Sequence, residues 1–128
     1  MATRIREKTA KIHQNKDTRP FATVKYVRMS PSKVRIVLDN IRGAKALDAV
    51  AILEYATQAA AEPILKVLRS AIANAENNKG MAADELIVAE CYATPGPTLK
   101  RINIRARGRA DRMLKRTSHI KVVLDTAK

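Results

Sequence analysis

Apolar and polar positions change period twice along the chain. From Phe21 to Met29 they alternate, with Phe21, Thr23 and Lys25 on one side and Ala22, Val24 and Tyr26 on the other. That is the period of a half-buried strand, and Val, Thr and Tyr favour it. At Ser30-Pro31 the period becomes helical. Ser30 is placed to cap the free amides, and Pro31 sits at the first helical position, where its missing donor costs nothing. Val34, Val37, Leu38 and Ile41 follow at helical spacing, and Gly43 closes the helix after Arg42. A second helix is expected from about Ala44 to Tyr55, with Leu47, Val50, Ala51 and Leu53 inward. A third is expected over roughly Gln58 to Asn77, capped by Thr57, with Ile64, Val67, Leu68, Ala71, Ile72 and Ala75 as its stripe. Pro63 removes a hydrogen bond and crowds the previous turn, which predicts a bend or a late start. Asn77-Asn78-Lys79-Gly80 ends this helix, with Asn78 as a local cap; Asn74 and Asn77 are open to capping or to a partner.

From Leu86 the period returns to two. Leu86, Val88, Glu90 and Tyr92 alternate with Ile87, Ala89, Cys91 and Ala93 up to Thr94, and Ser118, Ile120, Val122 and Leu124 alternate with His119, Lys121 and Val123. The connection between these strands is far longer than the roughly 2–5 residues of a tight hairpin. Either it is a disordered loop, or both strands run outward as a ribbon. The alternation of Lys100, Ile102 and Ile104 with Arg101, Asn103, Arg105, Arg107 and Arg109 favours the ribbon, with the odd-numbered cations on one face and Gly108 near the tip. Ten or so residues beyond the body, at about 3.3 Å each, carry the tip roughly 30 Å out. Such a ribbon is marginal alone and is ordered by its partner. Residues 1–20 show no apolar periodicity, and a disordered basic tail is expected there. The expected organisation is that tail followed by a single domain over 21–128, with an extended hairpin over about 86–124.

Charge decides what such a ribbon is for. The chain has 128 residues, 25 Lys and Arg against 12 Asp and Glu, and a net charge of +13. This size fits one domain, and this charge points to nucleic acid or an anionic surface. Between Pro95 and His119 lie Lys100, Arg101, Arg105, Arg107, Arg109, Arg112, Lys115 and Arg116, with Asp111 as the only acid. Cations this dense repel one another, and a phosphate backbone alongside relieves that repulsion. Arginine predominates, which favours bidentate and stacking contacts. Lys25 and Arg28 stand outside the first strand, and Lys33, Arg35 and Arg42 lie off the apolar stripe of the first helix.

Other classes fall away. No apolar run approaches the roughly 18 residues of a spanning helix, and the basic N-terminus is not followed by the apolar segment of a secretory signal. No amphipathic helix joins a basic face to bulky apolar anchors, which argues against membrane-surface binding. Cys91 is the only cysteine, so no internal disulfide is expected; it reads as a small core filler and suits a reducing cytoplasm. Trp is absent and Phe21, Tyr26, Tyr55 and Tyr92 are the only aromatic residues, so the core must be aliphatic and stacking is not the main mode of recognition. His13 and His119 are the only histidines, and no nucleophile, carboxylate-pair, metal-ligand or phosphate-loop pattern is present. Neither catalysis nor a cofactor is expected. Asp111 reads as an ion-pair partner within the basic stretch.

At this point the chain resembles a known family. The segments are Arg28-Met29-Ser30-Pro31 with Lys33 and Arg35, then Ile41-Arg42-Gly43, then Ser70 to Asn78. The longest runs Gly96-Pro97-Thr98-Leu99-Lys100-Arg101 through Arg105-Ala106-Arg107-Gly108-Arg109-Ala110 to Lys115-Arg116-Thr117-Ser118-His119-Ile120. Over about Ala22 to Leu124 these resemble the bacterial large-subunit ribosomal proteins numbered twenty-two in the universal series. The resemblance implies an α+β fold: three helices packed on a three-stranded antiparallel sheet, with a long protruding basic β-hairpin. It implies a structural rRNA-binding role in the cytoplasmic ribosome, a hairpin that bridges rRNA domains, and a tip that lines the polypeptide exit tunnel. Implied partners are large-subunit rRNA, neighbouring ribosomal proteins and the nascent chain; no self-oligomer is expected. Carried over, the tip is about Gly96 to Arg109, and Pro97, Thr98, Leu99, Lys100, Arg101, Ile102, Asn103, Ile104 and Arg105 line the tunnel. Lys25, Arg28, Lys33, Arg35, Arg42, Arg101, Arg105, Arg107, Arg109, Arg112, Lys115, Arg116, Thr117, Ser118 and His119 face rRNA. The family commonly has proline where this chain has Ile104, and often a basic or long side chain at Asn103, which implies a less rigid tip. A free-standing basic architectural nucleic-acid-binding protein is the alternative.

Overall fold

A computed structural model describes residues 2–14 and 17–126. The fold is α+β, with four α-helices and two antiparallel sheets among the described residues. Strands β1 (Phe21–Val27), β2 (Leu86–Pro95) and β5 (Ser118–Thr126) form one sheet in the order β1-β5-β2. Strands β3 (Leu99–Ile104) and β4 (Ala110–Lys115) form the other.

Helix α2 (Pro31–Ile41) buries Val34, Val37, Leu38 and Ile41, the stripe its spacing predicts. Ser30 occupies the cap position, but its hydroxyl meets the Ser32 hydroxyl at 2.9 Å instead of a free amide. The Ser30 carbonyl accepts from the Lys33 and Val34 amides. Helix α4 (Ala61–Lys79) takes the late start that Pro63 predicts: the cap is Ala60, not Thr57, and Pro63 lies in the first turn, where amides lack helical partners anyway. Its C-terminus is closed by Gly80 at φ 64°, whose amide donates to the Glu76 carbonyl while the Met81 amide donates to that of Ala75, so the glycine and not Asn78 is the cap. Asn74 donates its side-chain amide to the Phe21 carbonyl at 3.0 Å and pins α4 to β1.

The phase of α3 (Ala46–Tyr55) differs from expectation. Ala46, Ala49 and Leu53 are buried, whereas Leu47 is 48% exposed and Ala51 lies outside. Almost every residue of this helix is apolar, so hydrophobicity alone does not choose a face. The two alanines let its backbone approach α4 and β2 closely. A second difference is at the N-terminus, where the expected disordered tail contains helix α1 (Ala2–Gln14). Ile5, Thr9 and Ile12 share one side of it at helical spacing, and its residues are mostly good helix formers. Ile5 and Ile12 stay 67% and 61% exposed.

The α2, α3 and α4 helices pack on a single face of the β1-β5-β2 sheet. Leu38, Ile41, Ile64, Leu68, Leu86, Ile120 and Leu124 meet there with essentially no exposure. No aromatic ring enters this core among the described residues, as the composition requires. Cys91 is buried and bonds the Leu38 carbonyl through its thiol. The α2–α3 turn pairs with the outer edge of β2, with Gly43 donating to Val88 and Val88 to Ala44. That leaves less of this edge open to other chains.

Candidate nucleic-acid interface

The two sheets share their chains. The β2–β5 pairing ends at Pro95 opposite Ser118, and the β3–β4 pairing begins at Leu99 opposite Lys115. Three residues, Gly96 to Thr98, thus face two, Arg116 and Thr117, which is a bulge at the base of the ribbon. The Gly96 amide donates to the Thr117 carbonyl at 2.9 Å, and the Thr117 hydroxyl donates to the Pro97 carbonyl at 2.5 Å. A Cβ on Gly96 would lie 2.6 Å from the Thr117 Oγ1 and 3.1 Å from the His119 ring. The His119 Nδ1 accepts from the Tyr26 amide at 2.9 Å, and the two rings meet edge-on at 4.8 Å. Tyr26 holds φ 61° where the β1–β5 register shifts between Val24 and Val27.

These contacts correct several expectations. Thr117 and Ser118 are 5% and 0% exposed, so they are seam residues without an RNA-facing surface. The Ser118 hydroxyl is buried and has no hydrogen-bond partner among the described residues. His119 is half-buried and holds the β1 bulge. Gly96 belongs to the base of the ribbon and not to its tip.

Register divides the ribbon into two faces. Arg101 pairs with Met113 and Asn103 with Asp111; Lys100, Ile102 and Ile104 lie opposite Leu114, Arg112 and Ala110 on the other face. The tip is a turn over Ala106–Gly108, with Arg107 at φ 58° and Gly108 at φ 70°. Arg105, Arg107 and Arg109 therefore sit in or beside the turn, and the single face of odd-numbered cations breaks after Arg101. The chain has to reverse there, and two left-handed residues do it. Asp111 is the ion-pair partner its position predicts, 2.7 Å from the Arg105 Nε, with both side chains exposed. Every residue from Leu99 to Arg116 is exposed.

Four of the expected cations converge at the ribbon base. Arg28, Lys33, Lys115 and Arg116 line a groove of about 710 Å³, with Met29, Ile36 and Leu114 as apolar wall and no acid among its lining residues. The Arg28 Nη1 donates to the Lys115 carbonyl at 3.1 Å, which joins the β1–α2 turn to the end of β4. Two others are turned inward instead. Arg35 gives Nε and Nη2 to the Ala93 carbonyl, and Arg42 gives Nη2 to the Cys91 carbonyl while pairing with Asp39. These guanidiniums dock α2 on β2, so their RNA role is at most shared. Lys25 is exposed on β1. Sequence reasoning missed Gly96 as a close-approach glycine and Asn74 as a strand tie. A glycine before Pro97 reads as a turn unless the bulge is known. No group of metal-ligating side chains, and no helix long and apolar enough to cross a membrane, occurs among the described residues.

An aliphatic α+β body that holds out an acid-poor ribbon and gathers cations at its base defines a class: small structural proteins that present positive charge to an extended polyanion. Comparison with known proteins makes this specific. Residues 22–125 match the family model described as ribosomal protein L22p/L17e. The chain is 58% identical over 103 residues to "Large ribosomal subunit protein uL22" of Desulfitobacterium hafniense (strain DSM 10664 / DCB-2), covering 80% of this chain and 90% of that one. It is 55% identical over 103 residues to the protein of the same description from Clostridium novyi (strain NT), covering 80% and 93%. With that of Lachnoclostridium phytofermentans it shares 53% over 111 residues, 87% of each chain. The chain belongs to the L22p/L17e family of ribosomal proteins.

Proposed function

We propose that this protein is a structural, non-catalytic component of the large subunit of the cytoplasmic ribosome. It binds rRNA through the β3–β4 ribbon and the groove at its base. Family membership favours this over a free-standing architectural binder, and neighbouring large-subunit proteins are its further partners. Residues from 21 onward act as one domain, three helices on a three-stranded sheet with the ribbon as a long protruding hairpin. The observation that carries the proposal is the ribbon itself: its cations are exposed, and only Asp111 opposes them. Arg101, Arg107, Arg109 and Arg112 bridge phosphates of separate RNA segments and let them approach one another. Arg28, Lys33, Lys115 and Arg116 hold RNA at the base.

The ribbon also exposes Ile102 at 73% and Ile104 at 85%, apolar surface that nothing in the body covers. The resemblance implies that Pro97–Arg105 lines the exit tunnel. Pro97 and Thr98 lie in the basal bulge, so the ribbon from Leu99 to the turn is the part we assign to the tunnel, where these isoleucines meet RNA or the nascent chain. A density map of the purified large subunit tests this. The ribbon is expected between RNA helices with the 105–109 turn at the tunnel wall; a ribbon lying on the particle surface, away from RNA, would overturn the proposal.

A further inference from the structure

We propose that the open face of the β1-β5-β2 sheet is a second RNA site, a stacking platform for unpaired bases built from Phe21, Tyr92 and Lys121. It rests on the rRNA-binding reading but concerns a surface that neither the ribbon nor its basal groove includes.

The helices pack on one face of the sheet; on the other, Phe21, Tyr92 and Lys121 surround Val123, which is buried between Phe21 and Glu90. Aromatic residues are scarce in this chain, and the aliphatic core takes none of those described. On the open face Phe21 is 46% and Tyr92 41% exposed, while Tyr26 is 63% exposed with its ring against His119. The core is complete without a ring, and the half-exposed faces of Phe21 and Tyr92 are left for a planar partner.

Register puts the parts together. Lys121 on the central strand lies opposite Thr23 on β1 and Tyr92 on β2. Its Nζ stands 4.7 Å from the Phe21 ring centroid and 5.8 Å from that of Tyr92. The two rings therefore flank one ammonium group across two strand spacings, about 10 Å. That leaves room for two splayed bases side by side. Lysine is long and flexible, so its ammonium can leave the rings for the phosphate that joins those bases while the rings take the base faces.

Charge chooses the partner class. Lys25 and Lys121 stand on this face; of its acids, Glu90 is paired with the Arg19 Nη2 at 2.7 Å, and Asp125 lies at its far end opposite Ile87. A cationic aromatic sheet face fits a polyanion with planar groups. Open sheet faces of this kind recognise single-stranded RNA, since a paired helix keeps its base faces stacked on one another.

The test uses the full-length protein, an oligoadenylate ten-mer and deproteinised large-subunit rRNA. Oligoadenylate should quench tyrosine fluorescence and shift the ring resonances of Phe21 and Tyr92. Loss of one stacked ring corresponds to about 5- to 150-fold. Phe21→Ala and Tyr92→Ala should thus each weaken oligoadenylate binding at least about fivefold, leaving the slope of log affinity against log salt unchanged. Tyr92→Phe should bind as wild type. Lys121→Gln should lower that slope by about 0.7, one single-strand phosphate contact. The platform is overturned if oligoadenylate leaves both rings undisturbed, or if they respond instead to purified large-subunit proteins. If the rings are silent while wild type still binds rRNA, only the platform falls. If wild type binds no rRNA at all, the ribosomal reading falls with it.

Discussion

Gly96 is the residue on which the ribbon base closes. With the Thr117 Oγ1 2.6 Å from where its Cβ would be, Gly96→Ala must displace the Thr117 hydroxyl and the His119 ring that close the base. A loss of about 1–3 kcal/mol is expected in denaturant unfolding, with amide shifts at Thr117 and His119. Gly43→Ala makes a useful contrast: space is open there, but φ is +77°, so only backbone strain of about 1 kcal/mol is expected. If both variants unfold alike, the close approach at Gly96 has no energetic weight. Asp17 offers a pH signature. The Arg19 side chain hydrogen-bonds its carboxylate and holds its pKa at about 2, against an ordinary 3.8. Because the folded value is depressed, its contribution is present above pH 3.8 and is lost as pH falls through about 2. An NMR titration should place the Asp17 midpoint near 2, and Arg19→Ala should return it to the ordinary value. Burial pushes the Cys91 thiol up, ahead of the opposing hydrogen bond from Arg42. A thiol reagent at neutral pH should therefore label it only as fast as the protein opens, and rapid labelling of the native state would contradict the packing.

Among the elements, α2 and α4 were legible because large aliphatic residues mark one stripe and polar residues mark the rest. The α3 helix was not, since Leu47 and Ile52 compete with Ala46 and Ala49 for the inward face, and close approach rewarded the smaller pair. The strands on either side of the basic stretch were legible from alternation, as was the choice of ribbon over loop. The tip at Gly108 was legible too, whereas the base at Gly96 was not. Gly96-Pro97 and Gly108 are both turn signals, and only the pairing of Leu99 with Lys115 shows that the first marks the bulge at the base. The inward turn of Arg35 and Arg42 was equally hidden, because a cation off the apolar stripe looks the same whether it meets RNA or a carbonyl. Asn74 ties α4 to β1, so Asn74→Ala should cost about 1 kcal/mol of stability in the same unfolding assay. An unchanged midpoint would mean that the α4–β1 packing holds without it.

Across the whole molecule, the proposed function assigns folding and binding to different residues. The body is held by Val, Leu, Ile and Ala between the helices and one sheet face. The excess charge stands on the ribbon, at its base and on α1, where it adds nothing to the core. Removing ribbon cations should therefore leave folding intact and alter only the response to RNA. The most direct measurement is the affinity of the full chain for large-subunit rRNA as a function of salt, wild type against the triple variant Arg101→Ala, Arg107→Ala, Arg109→Ala. Each neutralised phosphate adds about 0.7–0.9 to the steepness of the log–log plot, so the variant's slope should be shallower by roughly 2 to 3 at an unchanged unfolding midpoint. Equal slopes for the two proteins would contradict the ribbon as the principal RNA-binding element.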